Sequence, residues 1–315
     1  MRIRLGFVPL SDAAPLIAAR ACGFFAEEGL QVELSREASW ATVRDKVAVG
    51  ALDGAHMLAP MVLAAALGVG SEPAPLIVPL ALARGGAAVA LSSRIPAAGL
   101  ARLVAQRREA GASPLTFAVV FPYSIHAYLL RAWLEQGGID PDADVRLTVA
   151  PPPRMADLLA GGVIEGFCAG EPWAAAAVAA GAGQVAVRAG QLWPSAPDKV
   201  FAVTRAWAEA DPPRLQAVLR ALLRAAAWAE APGNRAAVAD LLARPEHLGL
   251  EPELIAAGLD HIVYGSGAPE PRDAAWLLGE MKRWGQIPAS LDAAAAAARI
   301  YRPDLHAAAA GALSA

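Results

Sequence analysis

Cysteine is scarce: Cys22 and Cys168 are the two in 315 residues, far apart in the chain. That excludes a disulfide framework, and both read as small buried hydrophobes rather than reactive thiols. No apolar run reaches the roughly 20 residues that a membrane helix needs, although hydrophobic residues make up 56% of the chain and mean hydropathy is +0.38. Alanine supplies much of the excess, and charges or prolines break nearly every window, so no membrane insertion is expected. Neither charge sign dominates. The net charge is −3 and the isoelectric point near 6.0, which leaves no electrostatic footprint for direct nucleic-acid binding.

Catalytic signatures are missing too. There is no HExxH or CxxC pair, no GxSxG elbow and no GxxxxGK[ST] loop. His247, His261 and His306 stand apart in the C-terminal part. No metal, no cofactor and no enzymatic activity is expected. The chain opens on Met1-Arg2-Ile3-Arg4-Leu5-Gly6-Phe7-Val8, which already alternates like a strand, without a basic and then apolar leader. This predicts a cytoplasmic protein, or a periplasmic one if a leader has been removed.

What is present is an alternation of short apolar strands and amphipathic helices. Strand Ile3–Val8 leads through Ser11, a candidate N-cap, into a helix over Ala13–Ala21 that stops at Gly23. Strands over Gln31–Leu34, Gly54–Met57, Pro75–Leu82 and Ala87–Leu91 enclose helices over Thr42–Val49 and from Pro60. A second set follows: helix Leu100–Arg108, strand Leu115–Val119, helix Ile125–Gln136, strand Val145–Val149, helix Arg154–Ala160 and strand Val163–Cys168. Such alternation predicts an α/β fold with parallel sheets. Pro151-Pro152-Pro153 reads as a rigid extended connector. Beyond Thr204 the pattern turns helical, over 207–208, 214–230, 234–243, 253–259, 273–284 and 291–300. The expected architecture is two α/β lobes with a ligand cleft between them and a helical C-terminal region: residues 1–92 plus 200–315 in one lobe, 93–199 in the other. In open α/β sheets ligands gather beyond the carboxyl ends of strands, and hinge closure is the expected motion.

Phe167-Cys168-Ala169-Gly170-Glu171-Pro172-Trp173 is the most informative stretch. A strand ends in a glycine whose bare backbone lets a small anion approach, and Pro172 suits the first turn of a helix. A tight structural turn is the plainer alternative. Trp40 offers an indole N–H and a flat wall, or a core plug. His56 reads as structural. His126, at a helix start, reads equally as a ring donor towards a bound group and as a solvent-bonded histidine. Lys199 is a surface charge unless it faces the same cleft.

Several long motifs in one order carry a resemblance: SDAAPL at Ser11–Leu16, GFFAEEGL at Gly23–Leu30, SREASWATVRDK at Ser35–Lys46 and LDGAHMLAPM at Leu52–Met61. GGIDPDADV at Gly137–Val145, PPPRM at Pro151–Met155, FCAGEPW at Phe167–Trp173 and IYRPDL at Ile300–Leu305 complete it. Together they resemble the nitrate/bicarbonate-binding family associated with ABC transporters, whose fold is that of type II periplasmic binding proteins. The resemblance implies a small planar oxyanion held by Trp40, His126, Gly170 and Lys199. The family's binding glutamine does not carry over; Gly86 or Ala87 stands near its place, and Gly86 is taken as a backbone substitute. Nitrate has three acceptor oxygens and no proton, so N–H donors plus one cation satisfy it without a carboxylate. Lys199 therefore favours nitrate or nitrite over bicarbonate. Without a leader, the chain is most similar to cytoplasmic nitrate/nitrite sensors of the NasS type, which implies an RNA-binding antiterminator protein as partner. The alternative is a transport component, which implies an ABC permease.

Overall fold

A computed structural model of the chain describes residues 2–265 and 267–314. Eleven strands are found among these residues: β1 (Arg2–Phe7), β2 (Gln31–Arg36), β3 (Gly54–Leu58), β4 (Leu76–Gly85), β5 (Ala87–Ser92), β6 (Leu115–Val119), β7 (Val145–Val149), β8 (Gly166–Gly170), β9 (Gly183–Arg188), β10 (Pro197–Thr204) and β11 (Ile262–Val263). They form two sheets, one of six strands in the order β11-β4-β10-β3-β1-β2 and one of five in the order β7-β6-β8-β5-β9.

Neither sheet is wholly parallel. β1 runs parallel to β2 and β3, and β6 to β7 and β8, as the strand–helix alternation predicts. β10 is antiparallel to both β3 and β4, and β5 is antiparallel to both β8 and β9. These reversed strands are the ones that follow a passage from one sheet to the other. The first passage is Gly85-Gly86, where both residues have positive φ (72° and 74°), the left-handed backbone that glycine adopts at least cost. The second lies between β9 and β10. The chain thus passes between the sheets around residues 86 and 189–196, with β5 wholly in the second sheet and Lys199 in the first.

Helices cover the six-stranded sheet on both faces. Asp211 caps the helix Pro212–Glu230 by accepting from Arg214 N at 3.1 Å, and Pro212 occupies its first turn. Leu215, Val218, Leu219 and Leu222 recur at helical spacing and join one buried apolar cluster with Ile3, Leu5, Phe7 and Ile17. A second apolar cluster begins at Leu10, Trp40 and Met57 on the first lobe and continues into Phe117, Phe167 and Trp173 on the second. The lobes thus share a packed junction.

Local expectations fail in three places. Ser11 is no helix cap: it opens a 3-10 turn over Ser11–Ala13 ahead of the helix Ala14–Ala21, and no side-chain cap bond forms. The triple proline leads into a 3-10 turn, Pro152–Arg154, so it is not an extended connector throughout. Cys168 is buried as expected but Cys22 is exposed. Among the described residues no helix is long and apolar enough to cross a membrane.

Candidate functional site

Five chain segments bring polar side chains to one buried point at the lobe junction. The 3-10 turn after β1 supplies Asp12. The helix Trp40–Ala48 supplies its first residue, Trp40, fixed by Ser39, whose hydroxyl accepts from Thr42 N at 3.2 Å. β3 supplies His56. The helix Ile125–Gln136 supplies His126 in its first turn, behind a Ser124 cap accepting from Ala127 N at 3.1 Å. β10 supplies Asp198 and Lys199. Successive strand residues ordinarily point to opposite faces. Here Pro197 pairs with Arg84 and Lys199 with Ala83, so Asp198 is an extra residue in a bulge, and both side chains turn the same way.

Lys199 is the hub. Its Nζ lies 2.8 Å from Asp12 Oδ2 and 2.6 Å from Asp198 Oδ2, and 5.7 Å from the centre of the Trp40 ring. His56 Nε2 is 2.7 Å from Asp12 Oδ1, and its ring leans on Trp40 at 5.3 Å. His126 Nε2 stands 3.9 Å from Asp198 Oδ2, too far for a hydrogen bond. None of these six side chains is more than 2% exposed.

Burial at this depth fixes the charge states. It opposes the Lys199 charge, but Asp12 and Asp198 more than offset it and raise the lysine pKa. Burial also opposes the Asp12 charge, yet Lys199 and His56 hold its carboxyl well below the usual range. Asp198 is the exception: burial pushes it up to about 7, with the Asp12 charge adding to the rise and Lys199 opposing it. Burial, helped by Lys199, drives His126 well below its ordinary value, so the ring is neutral at pH 7. His56 is lowered by burial against the pull of Asp12, and its Nε2–H donates to that carboxylate.

Among the described residues, several buried polar atoms around this hub have no hydrogen-bond partner: Trp40 Nε1, His56 Nδ1, both ring nitrogens of His126, Asp198 Oδ1, Ser11 Oγ and Asp12 Oδ2, the last in ionic contact with Lys199. Buried polar groups are nearly always satisfied, so a cluster of them beside a buried ammonium marks a place for a polar ligand. Gly170 ends β8 at the same point. A side chain there would press to 2.6 Å from Leu10 Cδ2, 3.3 Å from Asp12 Oδ2 and 3.5 Å from His126 Nε2. Its backbone is thus within reach of both lobes' functional groups.

The junction is closed over the site. Ser11 N donates to Glu171 O and Trp173 Nε1 to Pro9 O, each at 2.9 Å. Tyr128 hydroxyl donates to Gln286 Oε1 at 2.8 Å, and the Arg44 guanidinium lies 5.7 Å from the centre of the Phe121 ring. With these contacts made, the hub is sealed from solvent. Glu171 and Pro172 precede the helix, which starts at Trp173. Glu171 is buried and pairs with Arg188 at 2.5 Å.

Of the residues singled out from sequence, Trp40, His126, Gly170 and Lys199 meet at the hub. Gly86 does not. Its N–H donates to His261 O at 2.7 Å and its carbonyl accepts from Glu171 N, so it serves the passage between lobes. Asp12, His56 and Asp198 were not expected in the site. His56 is buried and bonded to Asp12, as a structural histidine would be, and the site contains two carboxylates where nitrate's chemistry requires none. The available signal was an ionisable residue inside an otherwise apolar motif, Asp12 in SDAAPL and His56 in GAHML.

Comparison with known proteins gives the lineage. Residues 1–243 match the NMT1-like family. The nitrate import ATP-binding protein NrtC of Synechocystis sp. PCC 6803 is 35% identical over 97% of this chain and 49% of that protein. The bicarbonate transport ATP-binding protein CmpC of the same organism is 34% identical over 91% of this chain and 46% of that protein. The chain thus spans about half the length of these relatives. The crystal structure of the periplasmic nitrate-binding protein NrtA from Synechocystis PCC 6803 superposes with a TM-score of 0.93 at 30% identity, covering 99% of this chain and 89% of that one. The fold is therefore the two-lobed α/β fold of periplasmic binding proteins.

Proposed function

We propose that this chain, which belongs to the NMT1-like family, binds nitrate or nitrite between its lobes as the solute-binding part of an ABC-type import system. The family and fold are those of substrate-binding proteins. The observation that carries the ligand assignment is the buried Lys199 ammonium, with the unpartnered donors Trp40 Nε1 from the first lobe and His126 from the second, and the Gly170 backbone, gathered at the same hub. A delocalised monoanion with acceptor oxygens matches that donor set, and charge-assisted bonds to it are the strong ones. Likeness to nitrate-binding NrtA supports the same assignment.

The lobe contacts supply the response. Anion binding favours the closed form in proportion to its differential affinity for closed over open, and a permease would read the closed pair of lobes. A second reading is a regulatory one, a nitrate/nitrite sensor that holds an RNA-binding antiterminator inactive until the anion arrives. The wording of LDGAHMLAPM and SREASW supports it, and in that reading the protein works in the cytoplasm. The two share one site and differ in partner.

Calorimetric titration with nitrate, nitrite, bicarbonate and sulfate tests the ligand. Nitrate and nitrite are expected to bind in the micromolar range, about −8 kcal/mol. Tighter binding of bicarbonate than of nitrate overturns the assignment. Co-purification of the native protein with a permease complex or with an RNA-binding protein separates the two readings.

A further inference from the structure

The hub carries more negative charge than an anion site needs. Asp12 and Asp198 flank a single Lys199, and among the described residues no second permanently charged cation pairs with either: the other groups around them are uncharged at neutral pH. Near Asp198 these are His126 on the helix Ile125–Gln136 and the Cys168 thiol on β8, which burial pushes up with Asp198 adding to the rise; beside Asp12 and Lys199 they are His56 on β3 and the Trp40 indole. Tyr264, whose hydroxyl donates to Ser11 O behind Asp12, is likewise neutral. With both carboxylates ionised the hub has a net charge of −1 before any ligand enters. A monoanion would take it to −2 in a place closed to water, where unpaired charge is strongly disfavoured.

The two carboxylates are not equivalent. Asp12 has both oxygens in contact, Oδ1 hydrogen-bonded to His56 at 2.7 Å and Oδ2 ion-paired with Lys199 at 2.8 Å. Asp198 is held by Lys199 through Oδ2 alone, while Oδ1 is buried with no partner among the described residues. A proton on Asp12 would disrupt two charge-assisted contacts. A proton on Asp198 Oδ1 keeps the Lys199 hydrogen bond to Oδ2, giving up only its ionic part, and turns an orphan acceptor into a donor.

We propose that Asp198 is a specificity-determining residue that makes anion capture proton-coupled: an oxyanion with no proton of its own enters together with one proton from solvent, which rests on Asp198 Oδ1 and leaves when the anion leaves. The inference rests on the anion-binding reading above. Charge balances: one anion and one proton enter, and the hub keeps its net charge of −1. The ordinary state of Asp198, poised near neutrality, agrees with this assignment.

The test is calorimetry with nitrate in buffers of different ionisation enthalpy, from pH 6 to 8.5. Wild-type protein is expected to take up about one proton per anion at pH 8, falling towards zero near pH 6, where Asp198 already carries it. The dissociation constant should rise about tenfold per pH unit above 7.5. Asp198→Asn, which mimics the protonated acid, should bind with near-zero uptake and a flat pH profile. Heat without proton uptake in the wild type overturns the proposal, as does uptake that persists in Asp198→Asn, which would place the proton on a histidine. Should that variant not fold, difference infrared spectroscopy of the wild type decides. A protonated-carboxyl C=O band appearing on nitrate addition at pH 8 supports the proposal, and its absence overturns it. No heat with nitrate or nitrite at any pH overturns the anion reading itself, and this inference with it.

Discussion

Lys199 and Asp12 lie 187 positions apart in sequence, yet their charged atoms are 2.8 Å apart at the centre of the protein, both sealed from solvent. The pair joins β10 to the turn after β1 and holds the cation where the second lobe's Gly170 and His126 meet the first. It makes the anion site and the first lobe's interior parts of one electrostatic unit, so substitutions there are expected to alter binding and stability together.

Lys199→Ala should show both effects. Losing a charge-assisted bond should weaken nitrate binding by about 1.5–3 kcal/mol. The same change leaves Asp12 and Asp198 facing each other without a cation. Removing one partner from a buried ionic cluster costs about 3–5 kcal/mol, so urea unfolding should report a large drop in stability. An affinity equal to wild type would place Lys199 outside the binding surface.

The pH dependence of stability has two opposed parts. Asp198 has a folded pKa raised from 3.8 to about 7, so the folded protein binds that proton more tightly than the unfolded chain. Its contribution is present below about pH 4 and is lost as pH rises through 7. Asp12 is depressed; its contribution is present above about pH 4 and is lost in stronger acid. The buried neutral His56 and His126 also cost stability as pH falls below their ordinary 6.5. Asp198→Asn removes the first part alone. Its stability relative to wild type should therefore increase from pH 5 to pH 8, on the order of a few kcal/mol. Paired urea unfolding curves at the two pH values measure this, and a pH-independent difference would contradict it.

Strands such as Leu115–Val119 and helices such as Ile125–Gln136 were legible because their signal, the spacing of apolar residues, is local. Membership of Trp40, His126, Gly170 and Lys199 in one site was legible only through the order of several motifs. Three features were not. The antiparallel course of β5 and β10 depends on where the chain passes between sheets, and the Gly85-Gly86 signal looks like any turn. The Asp198–Lys199 juxtaposition depends on a bulge that no residue pattern announces. Asp12 and His56 gain their role from a lysine distant in sequence, so their own neighbourhoods show only ionisable residues in apolar surroundings.

Glu171 offers a control outside the hub. It is buried and bonded to Arg188 at 2.5 Å, with Ala175 N at 3.4 Å as its further contact. Arg188→Ala strands a buried carboxylate, whereas Glu171→Gln keeps a polar group that still accepts from Arg188. The first should destabilise by about 3 kcal/mol or more and the second by less. Thermal melts of the two variants give the order, and the reverse order would mean that the pair is solvated in solution.

Gly170→Ala tests whether close approach of the lobes, and not donor chemistry alone, creates the site. The added Cβ would stand 2.6 Å from Leu10 Cδ2, a buried side chain with little room to move. Overpacking of this kind costs about 1–3 kcal/mol when it must be absorbed inside a rigid core. Here a second outlet exists, because Leu10 belongs to one lobe and Gly170 to the other. Parting the lobes relieves the clash without disturbing either sheet. The variant should therefore unfold near the wild-type midpoint while binding nitrate at least tenfold more weakly. Its radius of gyration with saturating nitrate should exceed that of the wild type in small-angle scattering. Weakened folding with unchanged affinity would show the opposite, that the junction is a fixed core and that the anion enters by another route.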